Sequence, residues 1–70
     1  MTRWDPSMLR AVRLEVAGSL RKAAGLLEGR GVRLGRQTIL NHETGHTTPN
    51  AAQIGHYADA YGVPVDRFYS

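Results

Sequence analysis

The 70-residue sequence predicts an all-α fold, a compact bundle of about five helices in one domain covering residues 1–70. Three observations lead there. Apolar residues recur every three to four positions along most of the chain, glycine or proline falls where each such segment must stop, and no stretch reads convincingly as a strand. A chain this short has room for one thin core and no second lobe.

The first helix opens at Asp5-Pro6, a capping residue followed by proline at the first helical position. Leu9, Val12 and Val16 recur along it at helical spacing, and Gly18 ends it. Ser19 caps a second helix with Leu20, Ala23, Ala24 and Leu27 on its buried face. That helix must finish by Gly29 or Gly31, because Glu28–Gly35 reads as loop by composition. A third, short helix runs from about Arg36 to Thr44, with Ile39 as its clearest buried residue. Gly45 suits the left-handed position just past its end, and Pro49 stands shortly beyond. Asn50 opens a fourth helix carrying Ile54, Ala58 and Tyr61, closed by Gly62. Pro64 starts a last helical turn with Val65, Phe68 and Tyr69.

Composition narrows the function classes. No apolar run is long enough to span a membrane, and the start lacks the apolar stretch of a signal peptide. With no cysteine, this fits a cytoplasmic protein without disulfides. Eight arginines against one lysine, with eight alanines and eight glycines, suggest a GC-rich genome, hence a bacterial cell or a phage-infected host. The formal charge of +3 is unevenly spread. Residues 1–36 hold eight basic and three acidic groups, for +5, whereas residues 37–70 hold Arg67 against Glu43, Asp59 and Asp66, for −2. Such a bipolar domain presents one end to a polyanion.

Two motifs suggest other chemistry and neither fits. The glycines of 29–35 satisfy neither dinucleotide nor P-loop spacing, and no strand precedes them. The stretch Asn41-His42-Glu43-Thr44-Gly45-His46-Thr47-Thr48-Pro49 contains a literal H-E-x-x-H. Zinc hydrolysis needs both histidines on one continuous helix and a third ligand. Gly45 and Thr47-Thr48-Pro49 break the helix between them. No enzyme, metal or cofactor is expected.

The outer face of the third helix is the informative feature. At 100° per residue, Arg36, Gln37, Leu40, Asn41 and Thr44 share the side opposite Ile39. Arginine, glutamine and asparagine form paired hydrogen bonds to base edges in the major groove. Solubility alone would normally supply lysine or glutamate there.

The residues Arg36-Gln37-Thr38-Ile39-Leu40-Asn41-His42-Glu43-Thr44-Gly45 through Pro49 resemble the recognition helix and exit loop of Cro/Xre-type, phage-repressor-like helix-turn-helix regulators. Arg13–Ser19 is similar to that family's end of helix 1, Leu20–Ala24 to its second helix, and Ala58–Phe68 to its A-x-x-L-G-V-x-x-D-x-L/F ending. The likeness covers nearly the whole chain in order. It implies a lambda-repressor-like fold whose helices 2 and 3 form the helix-turn-helix, here with a connection about five residues longer than usual.

Function follows from the same resemblance. It implies a sequence-specific regulator of transcription, of Cro or repressor type, that binds operator-like double-stranded DNA; a module of this size covers one half-site, so useful affinity calls for a homodimer on the DNA. Arg36, Gln37 and Asn41 fall where such regulators read bases; Leu40 departs from the pattern, apolar where a polar outward residue is typical, and either touches a thymine methyl or packs inward. Ser19, Arg21 and Thr38 fall where they grip phosphates, and His46, Thr47 and Thr48 lie in the exit loop, where lysine or arginine is more common. Lys22, Arg30 and Arg33 join the phosphate set by charge and position. Arg13 and Glu43 match a partly buried ion pair, and His42 a half-buried position. Trp4, Tyr57, Tyr61, Val65, Phe68 and Tyr69 are candidates for the dimer contact, although ordinary core is favoured for Ile54, Tyr61 and Phe68. The alternative is the same fold used as a protein-interaction module, such as an antirepressor, antitoxin component or excision factor.

Overall fold

The computed structural model describes residues 2–70. Among these residues the protein is all-α: four helices, α1 (Pro6–Val16), α2 (Leu20–Glu28), α3 (Arg36–Thr44) and α4 (Ala51–Tyr61), are followed by a single 3-10 turn, Val65–Phe68. The expected fifth helix is therefore only that turn. Four residues between Pro64 and the closing Tyr69 leave no length for regular α-helical bonding.

Each helix starts on a side chain or glycine that its sequence supplies. Asp5 accepts the Ser7 N–H at 3.0 Å ahead of α1, and Ser19 accepts the Lys22 N–H at 3.1 Å ahead of α2. Asn50 and Gln53 form a reciprocal capping box ahead of α4, at 2.8 and 2.9 Å. Only α3 starts without a side-chain cap, at Gly35. It stops at Gly45, whose φ of 80° is the left-handed conformation that glycine adopts at least cost.

The core is built from Leu9, Val12, Ala23, Leu27, Ile39, Ile54, Tyr57, Ala58, Tyr61 and Phe68. α1 packs on α3 and on the 3-10 turn, while α2 packs on α3 and α4. On α1 the buried set is Leu9, Val12 and Arg13. The expected third apolar position, Val16, is exposed at the helix end. Arg13 takes the buried place because its charge is met there by a carboxylate of α3. Leu20 and Ala24 of α2 are half-buried rather than inside.

The chain ends close the bundle. Arg3 and Ser70 exchange backbone hydrogen bonds at 3.0 and 3.1 Å, and Asp5 N–H donates to the Phe68 carbonyl at 2.9 Å. Among the described residues this Trp4–Tyr69 bridge is the extended pairing present. Trp4 sits edge-on to Phe68 and Tyr69, with ring centroids 6.0 Å from each. Tyr57, Tyr61 and Phe68 are core residues, which removes them from any dimer contact. Trp4 and Tyr69 are half-buried, and Val65 stays exposed.

Candidate nucleic-acid interface

The placement of α3 decides what its outer side chains can reach, and three polar contacts fix that placement. Arg13 Nε donates to Glu43 Oε2 at 2.7 Å and its Nη2 to Oε1 at 2.9 Å, a two-pronged ion pair between α1 and α3. The same guanidinium donates to the Gly18 carbonyl at 3.3 Å, so the turn between α1 and α2 is tied to the pair. The pair is buried, with side-chain exposures of 8% and 0%. The Glu43 carboxylate holds the Arg13 guanidinium above its ordinary pKa, against the opposing pull of burial.

On the other side of α3, His42 Nδ1 and the Tyr57 hydroxyl of α4 lie 2.6 Å apart. Their rings meet edge-to-face at 5.7 Å. His42 is buried rather than half-buried, at 3% exposure, and burial lowers its pKa. Burial pushes the Tyr57 hydroxyl pKa up, so both groups are neutral near pH 7. His42 thus points inward on α3, whereas His46 is exposed beyond the end of that helix. The two histidines of the H-E-x-x-H share no helical face. Among the described residues no three potential metal ligands cluster.

With Ile39, His42 and Glu43 turned inward, the opposite face carries Arg36, Gln37, Leu40 and Thr44 exposed and Asn41 half-buried. Two internal hydrogen bonds organise it. Gln37 Nε2 donates to Asn41 Oδ1 at 3.0 Å, one turn along the helix. Thr44 Oγ1 donates back to the Leu40 carbonyl at 3.0 Å, so its proton is spent within the helix.

The phosphate candidates separate into groups. Arg21, Arg33 and Arg36 line one open groove with Ala24, Gly25, Glu28, Leu34 and Gly35, between α2 and the start of α3. The long connection explains that convergence. Bonds from Arg30, Gly31 and Val32 N–H to Leu27 and Glu28 carbonyls, at 2.9–3.0 Å, turn the chain sharply off α2. Val32 and Leu34 then pack on the core, which leaves Arg33 between them facing out. Three arginines against Glu28 make the groove strongly cationic. Arg30 is not part of it; its guanidinium is 3.7 Å from the Asp59 carboxylate of α4. Lys22 and Ser19 are exposed at the start of α2, and the Ser19 hydroxyl is engaged as the helix cap. Thr38 is half-buried.

His46, Thr47 and Thr48 are exposed at the far end of α3, where the Thr47 N–H closes onto the Asn41 carbonyl at 3.3 Å. A nine-residue helix rises about 13 Å. The arginine groove and the hydroxyl-bearing loop therefore flank the outer face of α3 at opposite ends. Sequence reasoning missed three contributors. Tyr57 supports α3 from a different helix, Pro49 is buried behind the exit loop, and Glu28 sits in the groove wall. None of these carries a local sequence signal.

No family model, no curated protein and no solved structure matches this chain.

Proposed function

We propose that the protein is a sequence-specific double-stranded DNA-binding regulator of transcription. In this reading α2 and α3 act as the helix-turn-helix and α3 enters the major groove, as the resemblance to Cro/Xre-type regulators implies. The observation that carries it is the junction of two unlike surfaces at the start of α3. A groove of three arginines meets a helix face bearing Gln37, Leu40 and Asn41. Phosphate contacts position a protein on the duplex and base contacts specify the site, and here the two kinds of group adjoin. The spacing supports the same reading. The major groove is about 12 Å wide, close to the rise of α3, so cationic and hydroxyl groups at the two helix ends can meet backbone on either side.

A single domain of this size covers one half-site, and a homodimer on DNA would place two α3 helices about 34 Å apart. Exposed Val65 and the outer edges of half-buried Trp4 and Tyr69 remain for such a contact. The setting is the cytoplasm of a bacterium or phage-infected host. No helix among the described residues is long and apolar enough to cross a membrane.

The test is duplex binding across a salt series. If Arg21, Arg33 and Arg36 each neutralise one phosphate, log affinity against log salt should fall with a slope of about −3 or steeper. Arg21→Ala should flatten that slope by about 1 on every sequence. Absent or salt-indifferent binding sinks the proposal and turns attention to a protein partner for the same surface.

A further inference from the structure

We infer that Glu28 limits the strength of DNA binding: its carboxylate competes with DNA phosphate for Arg21, Arg33 and Arg36, and so sets how tightly any duplex is held. This rests on the DNA-binding reading above and adds to it the residue that restrains affinity.

The placement of Glu28 has no local explanation. It is the last residue of α2, where the partial negative charge of the helix end disfavours an acid and favours a base. Its side chain is exposed. Among the described residues the ion pairs are Arg13–Glu43, Arg30–Asp59 and Arg67–Glu15, so Glu28 is locked to no arginine. Arg21, Arg33 and Arg36 are equally uncommitted. The carboxylate therefore adds nothing to the helix that carries it and closes no contact pair.

What it does share is the groove. Arg21, Ala24, Gly25 and Glu28 follow one another at i, i+3, i+4 and i+7, which puts them on one side of α2. Arg33 and Arg36 line the same groove from the connection and the start of α3. Between Arg21 and Glu28 no side chain is larger than a methyl group, and a Cβ built on Gly25 or Gly35 would meet nothing within 4 Å. The four charges thus face one open space with no protein between them. Seven residues of helix rise about 10 Å, close to the screening length at 0.1 M salt. At that range the carboxylate offsets the mutual repulsion of the arginines in the free protein. A phosphate entering the groove meets the same negative charge as a repulsion. Glu28 touches no base-reading residue, so its effect falls on every duplex alike.

The experiment measures the binding of two duplexes of unrelated sequence across a salt series. Wild type is compared with Glu28→Gln, with Glu28→Ala as a second variant, and with Asp66→Asn. The last removes one negative charge from the exposed 3-10 turn, outside the groove, and so reports the effect of net charge alone. Urea denaturation checks that each variant is folded. Glu28→Gln should bind both duplexes about three- to fivefold more tightly at low salt, by the same factor. Its salt slope should be steeper by up to about 1, so the gain shrinks as salt rises. In an Arg21→Ala background the gain should be smaller, because the two residues act on the same phosphate. Affinity unchanged or weakened in both Glu28 variants, a gain matched by Asp66→Asn, or a gain undiminished without Arg21 overturns the role of Glu28 and leaves DNA binding standing. A wild type that shows no salt-sensitive duplex binding overturns the DNA reading itself, and this inference with it.

Discussion

On the inner face of α3, Glu43 and His42 direct their polar atoms at single partners, Arg13 at 2.7 and 2.9 Å and Tyr57 at 2.6 Å. On its outer face, Gln37 and Asn41 bond mainly each other and keep most of their donors free. Both faces are polar, yet burial divides them sharply, with Glu43 and His42 at 4% and 3% exposure. A buried polar group without a partner costs free energy, so the inner contacts specify one seat for the helix. An exposed group loses nothing to water while it waits for a ligand. Within nine residues, then, the inner side sets position and the outer side is available for recognition.

The largest effect should come from breaking the inner ion pair. Arg13→Ala or Glu43→Ala leaves a buried charge unmatched, at a cost of roughly 3–5 kcal/mol. A domain of 70 residues has only about 4–10 kcal/mol in total, so either variant should be largely unfolded or close to it. Replacing both residues together by apolar ones of similar size, Arg13→Met with Glu43→Leu, should recover most of the loss, because no charge is then stranded. Urea denaturation of the three variants measures this. A single variant within 1 kcal/mol of wild type would mean that the pair does not set the position of α3.

A smaller effect should follow from the contact between α3 and α4. Tyr57→Phe removes the partner of His42 Nδ1 and should cost about 1–3 kcal/mol. Tyr61 is a useful control in the same helix. It is equally buried, but its hydroxyl has no hydrogen-bond partner among the described residues, so Tyr61→Phe should be neutral or slightly stabilising. Acid should weaken the same contact. Burial lowers the His42 pKa in the folded protein, so the unfolded chain takes up its proton first, at about pH 6.5. More protons bound to the unfolded state means stability that rises with pH. The His42 contribution is thus complete above pH 6.5 and is lost as pH falls from there through the lower folded value, by at most about 1.4 kcal/mol per pH unit. Denaturation midpoints between pH 7 and 5 should show this slope, and His42→Phe should flatten it.

The same contrast explains which parts of the fold were legible in the sequence. The helix ends were, since they depend on local chemistry: Asp5 and Ser19 as caps, Asn50 at the opening of α4, Gly45 as a left-handed exit and Gly62 as the close of α4. Apolar periodicity found Leu9, Val12, Ala23, Leu27, Ile39, Ile54 and Phe68 in the core. It failed on α3, where two of three buried residues are polar, and on α1, where Arg13 rather than Val16 is inside. Hydrophobic spacing cannot register a carboxylate that is buried because an arginine 30 residues away meets it. Only the family resemblance pointed to Arg13 with Glu43. Nothing pointed to His42 with Tyr57, because that contact depends on how α4 crosses α3. The convergence of Arg21, Arg33 and Arg36 was likewise hidden, since it depends on Val32 and Leu34 turning inward.

The smallest expected effect on stability tests the outer face, and it separates the two roles most cleanly. Gln37→Ala and Asn41→Ala remove side chains whose shared hydrogen bond lies on the outer surface of α3. Each should shift unfolding free energy by no more than about 0.5 kcal/mol. Alanine has the higher helix propensity, which favours the folded state and offsets part of the lost Gln37–Asn41 bond. Binding should respond in the opposite proportion. Each good paired contact to a base is worth about 1–3 kcal/mol of discrimination, so sequence preference should relax while the fold stands. Inner-face variants should do the reverse when rescued, as in Arg13→Met with Glu43→Leu: altered stability, with preference kept wherever α3 remains seated. Denaturation and site-preference measurements on the same purified variants place each residue on one axis or the other. A Gln37→Ala protein that loses stability like an inner-face variant, with its base preference intact, would show that the outer amide pair is a structural clamp on α3.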